Sequence, residues 1–472
     1  MCTRARVRAR IPVVEVAHEA RRHGLDAVVL EAATRAGGKI DSGFVDGAEL
    51  PFPVDMAADG FLARQPEVVE LCHELGLGDD LVAPTGAQAF IWADGALRSI
   101  PAPSVLGVPF EPDSVAATGL ISEAGVADLA ARVDIEHEPL ARDASVGEVM
   151  RPRVGDEVFE RLVDPLLGGI NAGNADGLSI EAGAPQLFAA ACAGGSLRDS
   201  LRVQVTAGQA AAGGPVFNGV KGGNRRIIDT LVEQLGSQVR LGQTVVAIER
   251  DGAGWVVVTD DARFPADRVV LATPAWITAG LIAPFAPTAA TTLAELVYGD
   301  AVLVTYVVDK AGLQHDLAGS GFLVPRSEGL LMTACSWASS KWDHYDDGRH
   351  AILRVSAGRT DDRRWLDLDP AQLLDQLGAE LEQTVGLHAE PVTRITPWRQ
   401  SLPQYRPGHM ARCAEIDTEL ALVAEGLVVA GAQMRGLGLP ACVRQGRAAE
   451  RARVPRERAA QELARERRQP SH

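Results

Sequence analysis

The chain has no glycine before Gly24, only four lysines among 46 basic residues, and 5% aromatic content. Its six cysteines (Cys2, Cys72, Cys192, Cys335, Cys413, Cys442) are scattered, without a Cys-x-x-Cys pair. That spacing argues against a cysteine-built metal site and for a reducing, cytoplasmic setting. No apolar run approaches the ~18 residues that a spanning helix requires, and no secretory leader is visible. Peripheral membrane contact is left open by the sequence. A basic face is missing as well: the net charge of −16 argues against nucleic acid as a partner. The shortage of lysine, with abundant alanine, has the character of a GC-rich bacterial genome and carries no mechanism. No internal repeat is apparent.

What is present is length and apolar content. With 472 residues and 46% hydrophobic side chains, the chain can bury a large core in about two domains. Forty-eight glycines and 27 prolines imply the many turns of an α/β or α+β enzyme. Helical periodicity runs from Pro12 to His23, with Val13, Val16, Ala17 and Ala20 on one face and Glu15, Glu19, Arg21 and Arg22 elsewhere. A buried strand, Ala27–Leu30, follows. Further expectations are a helix at Glu67–Leu75, a hairpin turning at Asp94-Gly95, a mostly helical stretch from Pro112 to about Gly214, and a helix within Gly222–Gly236. Strands are expected at 301–308, 351–355 and 427–430, and a last helix opens near Ala441. The charge-dense tail from Arg451 reads as a solvated segment.

The helix–strand pair at 12–30 resembles the second half of a nucleotide-binding unit, closed by Glu31. A carboxylate there can accept both ribose hydroxyls of an adenine dinucleotide. Alone the signal is weak. The following residues sharpen it: Gly37 and Gly38 would let backbone approach a pyrophosphate, and Arg35 and Lys39 can offset its charge. An ordinary loop with two turn glycines is the competing reading.

The stretch LEAATRAGGKI (30–40) resembles the flavin amine oxidase superfamily. Later stretches resemble its coproporphyrinogen/protoporphyrinogen oxidase branch: VDMAADGFLARQPEVVELCHELGLGDDLVAP, DPLLGGINAGNADGLSI, GVKGGNRRIIDTLVEQL, LPQYRPGH and VVAGAQMRGLGLPACVRQGR. They are collinear between Glu31 and about Arg447. The resemblance implies FAD as cofactor. Its adenosine and diphosphate contacts would fall to Glu31, Ala32, Arg35, Gly38 and Lys39. Ala57, Ala58, Asp59 and Gly60 would run beside the flavin ring, Val245 would meet the adenine, and Trp398 would flank the ring. Gly438 and Leu439 would aim helix amides at the flavin. Arg64 and Arg399 would face substrate carboxylates. For Trp398 a core role, and for both arginines a surface role, are equally open.

The implied reaction is oxygen-dependent oxidation of coproporphyrinogen III or protoporphyrinogen IX in haem biosynthesis, with hydride passing to FAD and O2 reoxidising it. No catalytic triad or paired carboxylates are expected, since the flavin carries the chemistry. Another flavin oxidase of this fold and an FAD-deficient porphyrin-binding protein stand as alternatives. The implied architecture interleaves an FAD domain (1–75, 215–280, 395–450) with a substrate domain (76–214, 281–394).

One departure is large. Counting back from Glu31, the Gly-x-Gly-x-x-Gly turn should occupy positions 8, 10 and 13, where this chain has Arg8, Arg10 and Val13. An altered start or reading frame upstream of about Val14 is the favoured reading, with gene decay or repurposing the alternative. Smaller departures are Asn171, Ala57 and Ala441, where tyrosine, glycine and aspartate are usual.

Overall fold

The computed structural model describes residues 11–86, 88–211 and 214–451. Positions 8 and 10, Cys2, and the tail beyond Arg451 therefore lie outside the described residues. The chain is a mixed α/β protein that divides into two compact units, each built from non-contiguous segments.

The described part of the first unit comprises 11–38, 228–295 and 413–451. The first helix, Ile11–Arg22, is buried at every position from Ile11 to Ala20. This corrects the expected amphipathic division: Glu15 and Glu19 are inside, not on a solvent face. Their charge is met by Arg447, whose Nε lies 2.8 Å from Glu15 Oε1 and 3.6 Å from Glu19 Oε1. Arg447 belongs to the last described helix, Leu439–Arg451, which packs along the first helix. Gly446 permits that approach, since a Cβ there would stand 2.6 Å from Pro12 O. Val13, 2% exposed, is accommodated within the helix.

The expected strand 27–30 is reduced to Val29–Leu30, pairing in parallel with Val239–Arg240. Val269–Leu271 pairs in parallel with Leu427–Val429. The 269–271 and 427–429 strands are wholly apolar, as helix-covered parallel strands must be. Val16, Val270, Ala430 and Ala449 join helix and strand in one core cluster. A three-stranded antiparallel meander, Val245–Asp251, Gly254–Thr259 and Arg263–Ala266, completes the strands of this unit. The helix His409–Val423 was not anticipated; its apolar positions are interrupted by Glu415, Asp417 and Glu419.

The second unit, Lys39–Ile227 and Leu296–Arg412, is organised on a seven-stranded mixed sheet. Its order is Val392–Pro403, Tyr298–Asp309, His350–Ala357, Met332–Trp337, Gly321–Leu323, Ala89–Ala93 and Ala96–Ser99. The last two form the expected hairpin, with Asp94 and Gly95 at φ +52° and +74°. One face is covered by the helix Pro370–Val385 through Leu373, Leu377 and Leu381, all nearly inaccessible. The stretch after Pro112 is helical, as its composition suggests, ending in Leu197–Ala211.

Candidate cofactor site

In the first unit, Glu31 follows its short strand and is 6% exposed. Its backbone is clamped to the neighbouring segment: Glu31 N donates to Arg240 O at 2.9 Å, and Gln243 N donates to Glu31 O at 2.7 Å. The structure thus brings Glu31 beside the chain that leads into Val245. Ala33 N donates to Glu31 Oε1 at 2.8 Å. No described residue donates to the other carboxylate oxygen. A largely buried carboxylate with one open acceptor suits a ribose diol.

The loop that follows turns on Gly37 and Gly38, at φ +98° and +58°, which only glycine adopts without strain. Arg35 folds over this loop, donating to Gly38 O at 2.7 Å and Ala36 O at 3.2 Å. Its guanidinium therefore holds the glycine turn as well as placing positive charge there. Val245 opens the meander beside a register shift. Gly438 immediately precedes the last described helix; Cys442 N donates back to Gly438 O at 3.0 Å, and the Leu439 N–H has no acceptor among the described residues.

In the second unit, the segment Asp55–Gly60 is fixed by side chains from several distant parts of the sequence. Trp398 Nε1 donates to Met56 O at 2.9 Å, Arg354 Nη2 donates to Ala57 O, and Asn224 Nδ2 donates to Ala58 O at 3.0 Å. Three successive carbonyls are occupied. The amides of Ala57, Ala58 and Asp59 donate to no described residue. The segment therefore offers a row of donors on a backbone that cannot rotate away. Gly60 passes close beneath Trp342, whose ring would be 3.1 Å from a Cβ there.

The two carboxylates of this segment differ in setting: Asp55 is buried and Asp59 half-buried. Asp55, 2% exposed, accepts from Ser42 Oγ at 2.6 Å, Asn224 N at 2.9 Å and Tyr345 Oη at 3.0 Å. Burial dominates these bonds and pushes its pKa up to about 6. At Asp59, burial also acts to raise the pKa, but Lys341 and Arg354 outweigh it and hold the carboxyl well below its ordinary range. Lys341 Nζ lies 3.1 Å away, Arg354 Nη1 2.8 Å and Trp342 Nε1 3.3 Å. Tyr345 is raised well above the ordinary phenol value by burial and by Asp55.

The remaining anticipated residues are placed as follows. Lys39 Nζ donates to Ser401 O, three positions from Trp398 on the edge strand of the sheet. Trp398 is half-buried, and its bond to Met56 O makes it a support of the 55–60 segment. Arg399 is exposed and stacks on Trp365 at 4.6 Å. Arg64 is exposed and faces the Gln186 amide, at 3.1 and 3.2 Å when that amide is turned to accept. The two arginines thus have separate partners.

Sequence reasoning missed Asp55, Asn224, Lys341, Trp342, Tyr345 and Arg354. They converge only through the sheet, without local motif spacing. The available signal was the rarity of lysine: Lys39 and Lys341, two of only four, are both engaged around this region.

Comparison with known proteins gives a concordant result. The family described as flavin containing amine oxidoreductase matches residues 16–452. The coproporphyrinogen III oxidase of Mycobacterium leprae is 34% identical, covering 89% of this chain and 91% of its own. That of Bacillus subtilis is 30% identical over 90% and 91%. A solved structure from Exiguobacterium sp. 255-15, provisionally named a protoporphyrinogen oxidase, superimposes with a TM-score of 0.84 at 30% identity, covering 96% of this chain and 98% of its own.

Proposed function

The chain belongs to the flavin containing amine oxidoreductase family, and we propose that within it the protein oxidises a porphyrinogen, coproporphyrinogen III in the first place, with FAD as cofactor and O2 as terminal acceptor. The observation that carries this reading is that the coproporphyrinogen III oxidases of M. leprae and B. subtilis match along nine-tenths of their length. The geometry is compatible. The open oxygen of Glu31 suits the ribose, and the donors of Ala57–Asp59 suit the acceptor-rich edge of a flavin ring.

When bound, FAD supplies the two-electron acceptor chemistry that the side chains lack. The chain's own part is positioning. Glu31, Ala32 and Val245 would hold the adenosine, with Arg35, Gly38 and Lys39 along the diphosphate. Ala57, Ala58, Asp59 and Gly60 would present their rigid backbone to the ring, supported by Trp398. Gly438 and Leu439 would add a helix N-terminus, whose partial positive charge favours a reduced, anionic ring. Arg64 and Arg399 are assigned to the substrate carboxylates, which form charge-assisted bonds with guanidinium groups. The cofactor role is assigned to 1–75, 215–280 and 395–450, and the substrate role to 76–214 and 281–394. A cytoplasmic location, with or without peripheral membrane contact, goes with this reading; among the described residues no helix is long and apolar enough to cross a membrane.

The test is spectroscopic. Purified protein supplied with FAD should retain a visible flavin band after desalting, and anaerobic coproporphyrinogen III should bleach it. A colourless protein that still binds porphyrin would favour the FAD-deficient alternative. A flavin band bleached by an amine but not by a porphyrinogen would favour the other oxidase class.

A further inference from the structure

The stretch from Ala57 to Gly60 has two unlike sides. On one, Met56 is fully buried and the carbonyls of Met56, Ala57 and Ala58 are occupied. On the other, Ala58 is exposed and Ala57, Asp59 and Gly60 are partly so, with nothing larger than a methyl group at positions 57, 58 and 60. A flat ring can therefore lie against the open side. What stands behind the stretch is charged. Arg354, on an inner strand of the sheet, is 5% exposed. Its guanidinium reaches two points at once, donating through Nη2 to Ala57 O and placing Nη1 2.8 Å from Asp59 Oδ2. Lys341, which closes the short helix Ala338–Lys341, meets both oxygens of the same carboxylate at 3.1 and 3.2 Å. Trp342 adds its Nε1 at 3.3 Å, and its ring fills the space beneath Gly60 and Gly219, where a Cβ would meet it at 3.1 and 3.3 Å. Two cations converge on one carboxylate of the stretch. Apolar packing could hold a loop without the desolvation cost of buried charge. A charge placed here also acts on whatever lies against the open side, because its field reaches beyond contact distance.

We propose that Lys341 and Arg354 are positioning residues for the flavin: acting through Asp59 and the Ala57 carbonyl, they fix the Ala57–Asp59 amides against the ring and raise its reduction potential by the positive charge they place behind it. The proposal rests on the FAD reading given above. Its test uses the full chain loaded with FAD and reads three quantities that need no turnover: flavin retained on desalting, reduction potential by equilibration with a reference dye, and melting temperature. Lys341→Met deletes one positive charge while Arg354 and Trp342 still hold Asp59, so the variant should fold and keep its flavin. Its binding preference for reduced over oxidised flavin should fall about ten-fold, which is a potential about 30 mV lower for a two-electron couple. Lys341→Arg should restore the parent potential. Arg354→Met also frees Ala57 O and should lower flavin retention as well; if it does not fold, the two Lys341 variants decide alone. A Lys341→Met holoenzyme with the potential of the parent, whatever its melting temperature, would overturn the proposal and leave the FAD reading standing. A parent chain that retains no flavin would overturn both.

Discussion

Replacing Asp55 with asparagine should change how stability depends on pH, in a direction opposite to that of most carboxylates. Asp55 is pushed up from an ordinary 3.8 to about 6, chiefly by burial. Between those values the folded chain holds the proton while the unfolded chain releases it, so unfolding becomes easier as pH rises. Its contribution is fully present below about 3.8 and lost as pH rises through about 6. The gap corresponds to ~3 kcal/mol, at about 1.4 kcal/mol per pH unit. Asp55→Asn keeps an acceptor for Ser42 and Asn224, and its new amide can donate to Tyr345 Oη, but it cannot titrate. The stability of the parent minus that of the variant, from urea titrations followed by tryptophan fluorescence, should therefore fall by ~3 kcal/mol from pH 3.5 to 6.5. The subtraction removes the carboxylates common to both. Parallel curves would mean that Asp55 is ionised throughout, and that the hydrogen bonds from Ser42, Asn224 and Tyr345 outweigh its burial.

Asp59→Asn strips the anion from Arg354, whose side chain is 4% exposed; a loss of about 3–5 kcal/mol is expected for a broken buried pair, and a melting temperature within a degree or two of the parent would contradict that. Trp398→Phe should cost about 1 kcal/mol through the lost bond to Met56 O, with weaker FAD retention on desalting as the second readout. Arg8→Gly with Arg10→Gly should tighten FAD binding by about two to four decades if two charge-assisted amide bonds of ~1.5–3 kcal/mol each are regained; equal affinities by calorimetry would refute it. Val13→Gly, by contrast, should destabilise by more than the ~1 kcal/mol helix penalty of glycine, because it also removes a buried side chain.

Much of this architecture was legible locally. The hairpin at Asp94-Gly95 and the apolar strand at 427–429 carry their own turn or periodicity signals. The Glu31 to Lys39 stretch could be singled out because its residues are neighbours in sequence. What escaped was long-range. Glu15 and Glu19 looked like solvent-face residues because their partner, Arg447, lies more than 400 positions away. The donors that fix Met56, Ala57 and Ala58 come from Trp398, Arg354 and Asn224, and no periodicity links them to the loop they hold. Positions flanking a motif are readable; the scaffold that makes it rigid is not.

The central claim is porphyrinogen oxidation, and the most direct measurement is porphyrin fluorescence during aerobic incubation of the FAD-supplied protein with chemically reduced coproporphyrinogen III, alongside protoporphyrinogen IX. The account predicts enzyme-dependent porphyrin formation, faster with coproporphyrinogen III and absent when FAD is withheld. Fluorescence that rises no faster than the autoxidation control with both substrates, in protein that demonstrably holds FAD, would contradict it.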